Sequence, residues 1–275
     1  MLSWIKKRSK KPVIHLYTIC WNEEKTLDFF FQHYDGIVDR YVFYDDGSTD
    51  RTLEILNKHP KVEVRSLPRL ATDSYVLAAK GVHNSCWKES RGVADWVIFT
   101  AVDEFLYHPF LLSYIKLCDW RGVTAIPALG YQMISDFFPK LEEKLTRQIQ
   151  FGAPYFFMNK LSLFKPDQIE NSGFEEGRHK AKPTGNVVYP KVDRMLILHY
   201  KYLSFDHTLK RHQELNEKLG RYDKKQNWGI QYSWDKAKLQ KEWDEFKTHA
   251  VQVRRGFFNA NKTHSSLEER WWRKG

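Results

Sequence analysis

The chain has 275 residues with 42% hydrophobic and 28% charged side chains, enough apolar content for a packed core and too much for wholesale disorder. Its formal net charge is +10, but residues 1–11 hold five basic side chains and no acid, and residues 221–275 hold thirteen basic against seven acidic, leaving −1 for residues 12–220. A near-neutral body between basic ends excludes a nucleic-acid groove running across the whole protein, and no nucleic-acid partner is expected.

The chain opens MLSWIKKRSKK, with charge where a signal peptide needs its apolar stretch. No window approaches the ~18 apolar residues of a membrane span. A cytoplasmic location is expected. Leu2, Trp4 and Ile5 beside five cations read either as a contact with an anionic membrane, peripheral on the inner face of the cell membrane, or as a solvated chain end. Strand-like and helix-like segments then alternate. Residues 13–19 (VIHLYTI) predict a buried strand and residues 23–34 a helix. Residues 41–44 (YVFY) predict a second strand, residues 45–50 a turn and 52–58 a short helix capped by Ser48, Thr49 or Asp50. Strand 62–66, helix 74–90, strand 96–100, helix 108–118 and strand 123–127 follow. Such alternation predicts α/β architecture, with a mostly parallel central sheet flanked by helices. Ligands of such sheets gather at the carboxyl ends of the strands.

Beyond residue 127 short apolar runs (131–134, 161–164, 195–198) are separated by Gly, Pro and charged loops, and residues 208–219 and 235–247 read as charged amphipathic helices. No linker is evident. The expected organisation is a basic segment 1–12, a catalytic domain 13–205 with a donor half to about 127 and an acceptor half from about 128, and a helical, basic extension 206–275. Cys20, Cys86 and Cys118 are odd in number, widely spaced and free of any CxxC, which predicts buried reduced thiols rather than a disulfide scaffold or zinc ribbon.

Polar clusters end three predicted strands: Thr18 to Glu23 after the first, Asp45 to Asp50 (DDGSTD) after the second, and Asp103 with Glu104 after the fourth. In a parallel sheet these ends share one edge. Carboxylates gathered there repel unless something positive or hydrogen-bonding sits among them. A divalent cation with a phosphorylated ligand is the usual solution, because hard oxygen ligands suit Mg²⁺ or Mn²⁺. Each piece alone reads equally as a capped turn, a helix start or a solvated loop. The ordered set is more specific.

That set resembles the family 2 glycosyltransferases of the GT-A fold, through TICWNEE (18–24), YDDGSTDRTLEIL (44–56) and DWVIFTAVDEFLYH (95–108). GYQMISDFFP (130–139), GFEEGRHKAKPTG (173–185) and LHYKYLS (198–204) extend the likeness to the bacterial branch with a "DEFL" motif, over about residues 13–205. The resemblance implies a Rossmann-like GT-A domain that moves a sugar from a nucleotide-sugar donor to an acceptor hydroxyl, with inversion and assistance from Mn²⁺ or Mg²⁺. It implies a glycan or lipid-linked glycan as acceptor, in capsule, lipopolysaccharide or other surface-glycan assembly. Carried over, Asp46 accepts a hydrogen bond from the nucleotide base, Glu23 sits close to the nucleoside, and Thr18, Asn22 and Asp45 belong to the same donor-nucleotide site. Asp103 is the last position of a DxD motif, reaching the diphosphate through the metal, and His199 completes the metal shell. The motif's first acid is replaced by Ala101, which puts metal dependence in doubt. Glu104 either assists or anchors the following turn.

An inverting enzyme needs an acceptor-side carboxylate to take the hydroxyl proton. Glu176 is favoured over Asp136 and Glu175, each of which reads also as a surface acid or cap. His179 and Lys180 share the Glu176 loop and contact phosphate or acceptor, or are solvated. His199 stands against the alternative of a core histidine, and His207 and His212 lack helical ligand spacing. Trp228 and Tyr232 read as sugar-stacking rings or as packing. A nucleotidyltransferase and a degenerate, non-catalytic nucleotide binder are the rival readings. No early Gly-rich phosphate loop supports the first, and Ala101 is the best support for the second.

Overall fold

The first strand, β1 (Ile14–Cys20), is buried along its whole length. A strand covered on both faces needs a continuous apolar run, which IHLYTIC supplies. It lies in a computed structural model that describes residues 11–69, 73–253, 259–266 and 269–274. β1 pairs in parallel with β2 (Arg40–Asp45) and β4 (Trp96–Phe99), and β2 with β3 (Val62–Ser66). The connecting helices are α1 (Leu27–Tyr34), α2 (Thr52–Lys58) and α3 (Tyr75–Ser85), the last capped by Ser74, whose side chain accepts from Leu77 N. These are the predicted elements of the donor half, with ends moved by a few residues.

Where helix 108–118 is predicted, a short strand β5 (Glu104–Tyr107) comes first and α4 (Leu111–Trp120) follows. A glutamate and three apolar residues before a turn cannot be told from a helix start by periodicity. The predicted strand at 123–127 opens β6 (Ala125–Ser135), buried throughout. Its first residues pair with β8 (Lys160–Phe164), and its later ones with β7 (Phe151–Pro154) and β11 (Leu196–Leu203). The path β12-β7-β6-β8-β4-β1-β2-β3, with β11 on β6 and β5 on β11, makes one ten-stranded sheet. β5, β7 and β8 run against the other strands, so most strands point one way, as the α/β reading requires. Strands β9 (Ile169–Asn171) and β10 (Thr184–Gly185) form a separate pair.

The remaining helices are α5 (Leu145–Gln148), α6 (Phe205–Lys218), α7 (Arg221–Lys225), α8 (Lys236–His249) and α9 (Ala260–Thr263). Residues beyond 205 rejoin the body. β12 (Val251–Gln252) adds to β7, and Val253, Ala260 and Trp272 belong to the main hydrophobic core. Cys20, Cys86 and Cys118 are free and buried, as their spacing predicts. Among the described residues no helix is long and apolar enough to cross a membrane.

Candidate active site

Register brings the motifs together. Cys20 pairs with Asp45 across β1 and β2, and Tyr17 with Phe99 across β1 and β4, so the three polar strand ends meet at one edge. There the loops are stitched to each other. Asn22, in the left-handed region at φ 51, accepts from Thr49 N at 2.7 Å, and its own N–H donates to Ser48 Oγ at 2.9 Å. Asp45 accepts from Gly47 N at 2.9 Å and Ser48 Oγ at 2.5 Å. Gly47, at φ +74, makes that return without strain on a side chain. Asp45 thus holds the turn, and Thr18 is fully buried within β1; neither lines the cavity above.

That cavity, about 750 Å³, opens over the strand ends. Asn22, Glu23, Asp46, Asp103, His179 and His199 all line it. Asp46 is buried, and its carboxylate takes a two-point bond from Arg69 at 2.7 and 2.5 Å, with Lys218 Nζ at 3.5 Å. Glu23 receives Arg211 on Oε1 at 2.7 Å and Thr26 on Oε2 at 2.6 Å. Burial, reinforced by the Asp103 charge and opposed by Arg211, pushes the Glu23 carboxyl up to about 7.

Asp103 and His199 meet because β5 and β11 pair antiparallel, with His199 opposite Glu104. His199 Nε2 lies 3.2 Å from Asp103 Oδ2. Burial resists ionisation of Asp103, but the His199 neighbour outweighs it and holds the carboxyl below its usual range. Gln132 Nε2 donates to the carbonyls of His199 and Met133, at 3.0 and 3.2 Å. Its Oε1 therefore faces His199 Nδ1, at 2.7 Å, and takes that proton. Nε2 is then the ring atom turned to Asp103; its N–H bonds the carboxylate here, and giving up that proton would free it to ligate a metal beside Asp103, the arrangement expected of an oriented metal-ligating imidazole. Among the described residues no group of three or more His, Cys, Asp or Glu gathers to hold a metal. A carboxylate and an imidazole fit a hard divalent ion only when phosphate oxygens and water complete its shell.

Glu104 settles into the anchoring alternative. It is buried, bound by Lys160 at 2.7 Å and Arg178 at 2.5 Å, and it accepts from Ala101 N at 3.0 Å. Against the burial that would raise it, those two cations hold its carboxyl well below the usual range.

The two carboxylates favoured as base are not brought to the cavity. Asp136 follows β6 but turns outward to Lys247 at 2.8 Å. Glu176 pairs with Lys80 at 2.8 Å, and neither lines the cavity. Glu175 pairs with Lys182 at 3.3 Å. His179, one turn beyond, lines the cavity with Nδ1 on Phe157 O at 2.7 Å, whereas Lys180 is exposed outside it. Tyr232 lines the cavity; Trp228 instead packs against Tyr222.

Helix α6 supplies what the sequence reading missed. His207, Lys210, Arg211, Glu214, Leu215 and Lys218 all line the cavity and recur at helical spacing on one face. Arg211 and Lys218 also lie over the Trp21 ring, each 5.2 Å from its centroid. The periodicity was legible in the sequence; the surface this face meets was not.

A family model for glycosyltransferase family 92 matches residues 17–263. The chain belongs to that family. A glycosyltransferase family agrees with the glycosyl-transfer reading rather than the nucleotidyl one. The motif resemblance named family 2, so the two agree on glycosyl transfer and differ in family. No curated protein sequence matches the chain. Among solved structures, it is similar to glucosyl-3-phosphoglycerate synthase from Mycobacterium tuberculosis in complex with Mn²⁺, UDP and glucosyl-3-phosphoglycerate, at 16% identity and TM-score 0.31, over 47% of this chain and 48% of that one. It is also similar to S. aureus TarS, at 14% identity and TM-score 0.31, over 56% of this chain and 28% of that one. The family-92 chain therefore spans about half the length of the first and under a third of the second.

Proposed function

We propose that this family-92 protein transfers a sugar from a nucleotide-sugar donor to an acceptor hydroxyl, with inversion, and that Asp103 and His199 would hold the Mn²⁺ or Mg²⁺ that assists it. The observation that carries this is the Asp103–His199 pair at 3.2 Å, its imidazole oriented by Gln132, on the wall of a cavity large enough for a nucleotide-sugar. The metal would supply Lewis-acid stabilisation of the leaving diphosphate. The chain's own groups surround it with complementary charge. Lys218 and Arg211 stand on the α6 face, and Glu23 and Asp46 hold them there. Asn22 keeps the two loops in register. Asp46 keeps the donor-binding role carried over from the motif; a base seeking its oxygens replaces a bond from Arg69 or Lys218. Ala101 contributes no ligand, so the second protein ligand is His199.

Calorimetry with UDP, GDP and dTDP, with and without Mn²⁺, tests this reading, followed by turnover of the corresponding sugar nucleotides. One diphosphate should bind with metal dependence. Asp103→Ala should lower turnover at least about 100-fold with the fold retained. Wild-type-like turnover by that variant would remove the metal site.

We also infer a cytoplasmic enzyme that meets a glycan or lipid-linked glycan acceptor at an anionic membrane, in surface-glycan assembly. The basic ends support this only in part. Residues 1–10 lie outside the described residues, and Arg270 and Arg273 are engaged with Asp193. Co-sedimentation with anionic liposomes at low salt, lost at high salt and on removal of residues 1–11, is the expected outcome.

A further inference from the structure

The carboxylates on the cavity wall differ in what holds them. Asp46, Glu23, Glu104 and Glu214 each face an Arg or Lys, and Asp103 faces His199. Glu24 accepts from Arg51 N across the facing loop, and Asp50 accepts from Glu24 N and Thr52 N. Glu242, on α8, lines the cavity with neither kind of partner. The Tyr202 hydroxyl donates to its Oε2, and Oε1 accepts no bond from the described residues.

Tyr202 can orient that carboxylate because its own ring is fixed. It is buried on β11, three residues after His199, and packs against Phe246 at 5.1 Å and Trp243 at 5.8 Å. On the same wall stand Tyr155, 5.4 Å from Phe246, and Tyr232, whose ring carries Lys201 Nζ at 4.3 Å. Lys201 also links this wall to the metal pair, since its charge acts on both Asp103 and Glu242. Flat rings beside one carboxylate that no Arg or Lys bonds suit the apolar face of a pyranose and its hydroxyl. They suit a phosphorylated acceptor poorly, because a dianion beside Glu242 is repelled.

We infer that Glu242 is the catalytic base, taking the proton of a sugar hydroxyl laid against Tyr155, Tyr232 and Phe246, and that Tyr202 is its positioning residue. The inference rests on the glycosyl-transfer reading above. In the step, the acceptor oxygen's lone pair forms the new bond to the anomeric carbon. The bond from that carbon to the diphosphate oxygen breaks, its electron pair leaving on the diphosphate. The hydroxyl proton passes to Glu242 Oε1, giving a neutral carboxyl that returns it to water after release.

The surroundings raise the Glu242 carboxyl above its ordinary value, the direction that makes it a stronger base. Burial raises the Glu242 carboxyl, while the Tyr202 bond and the Lys201 charge hold it down. From its own helix Glu245 raises it and Lys238 lowers it. Tyr155 and Tyr232 line the same cavity. Glu23, the other buried candidate, has both oxygens occupied.

The test uses the full chain with Mn²⁺ and UDP-, GDP- and dTDP-hexoses. Water and a panel of p-nitrophenyl glycosides serve as acceptors, between about pH 5 and about pH 9. Glu242→Gln should keep nucleotide diphosphate affinity within about twofold, lower nucleotide release at least about 100-fold, and lose the acid limb of the pH profile. Tyr202→Phe should move that limb to higher pH, so that its deficit shrinks as pH rises. A merely structural loss would be the same at every pH. The exposed neighbour variant Asp244→Asn should behave as wild type. Glu242→Gln turnover within about threefold of wild type, or loss of diphosphate affinity with it, overturns the assignment. Should Glu242→Gln fail to fold, an unshifted Tyr202→Phe profile overturns it instead. A wild-type chain that neither binds a nucleotide diphosphate nor releases one from a sugar nucleotide defeats the transfer reading itself, and the base with it.

Discussion

Glu104 shows how much of this site is support. One buried carboxylate neutralises Lys160 and Arg178 and closes the turn that presents Asp103. Taking away one partner of a buried ionic cluster leaves uncompensated charge, which costs more than the cluster contributes. Glu104→Gln should therefore destabilise the protein by ~3–5 kcal/mol in urea unfolding. A change below ~1 kcal/mol would mean that Lys160 and Arg178 find water or other partners. Its neighbour Asp103 was readable as a candidate only as part of an ordered set of polar strand ends, since alone it reads equally as a solvated loop acid. His199 was readable only as one of two alternatives, because the Gln132 contact that orients it joins β6 to β11.

At the scale of elements, α6 decides the electrostatics of the cavity. Its inward face brings Arg211 to Glu23 and Lys218 to Asp46, offsetting the charge of an acidic strand edge, as the proposed diphosphate site requires. Lys218→Met removes a cation from the cavity while keeping the aliphatic stem over Trp21. We expect the Kd for the nucleotide diphosphate to rise about tenfold, or ~1.4 kcal/mol, in calorimetry, and the salt dependence of binding to weaken. An unchanged Kd would assign Lys218 to holding Asp46 alone. The alternation of strands and short helices through β4 was legible because each element buries a continuous or periodic apolar set. β5, β7 and β9 were not, because three or four residues carry too little pattern to separate strand from turn.

The whole molecule is tied together by its last residues. Asp193, buried, receives Arg270 at 3.1 Å, Arg273 at 2.6 Å and Trp272 Nε1 at 3.0 Å. The basic side chains Arg270 and Arg273 thus form an internal clasp rather than a free charged surface. The fold also buries histidines in neutral form. Burial lowers His33 to about 4 and His212 to about 3, and lowers His15, His83 and His264 as well. Between those values and the ordinary 6.5 the unfolded chain binds more protons than the folded one, so stability rises with pH through that window and is lost on acidification. Glu23, raised to about 7, works in the opposite sense, as one group against several. Thermal unfolding of the metal-free protein should show Tm climbing from about pH 4 to about pH 6.5; a flat profile would mean these imidazoles charge without cost.

Local sequence by itself determined the parallel strands of the first hundred residues and the polar strand ends. Apolar periodicity dictates which segments are buried, and parallel strands must end at one edge. That reasoning placed Asn22, Glu23, Asp46 and Asp103 on one wall, as found. It could not choose among acids after residue 127, and it favoured Asp136 and Glu176, which bind surface lysines. Which side chains of α6, α8 and β11 face the strand edge depends on how those elements dock. Docking is set by long-range packing, such as Tyr202 against Trp243 and Phe246, that leaves no periodic mark near Arg211, Lys218 or Glu242.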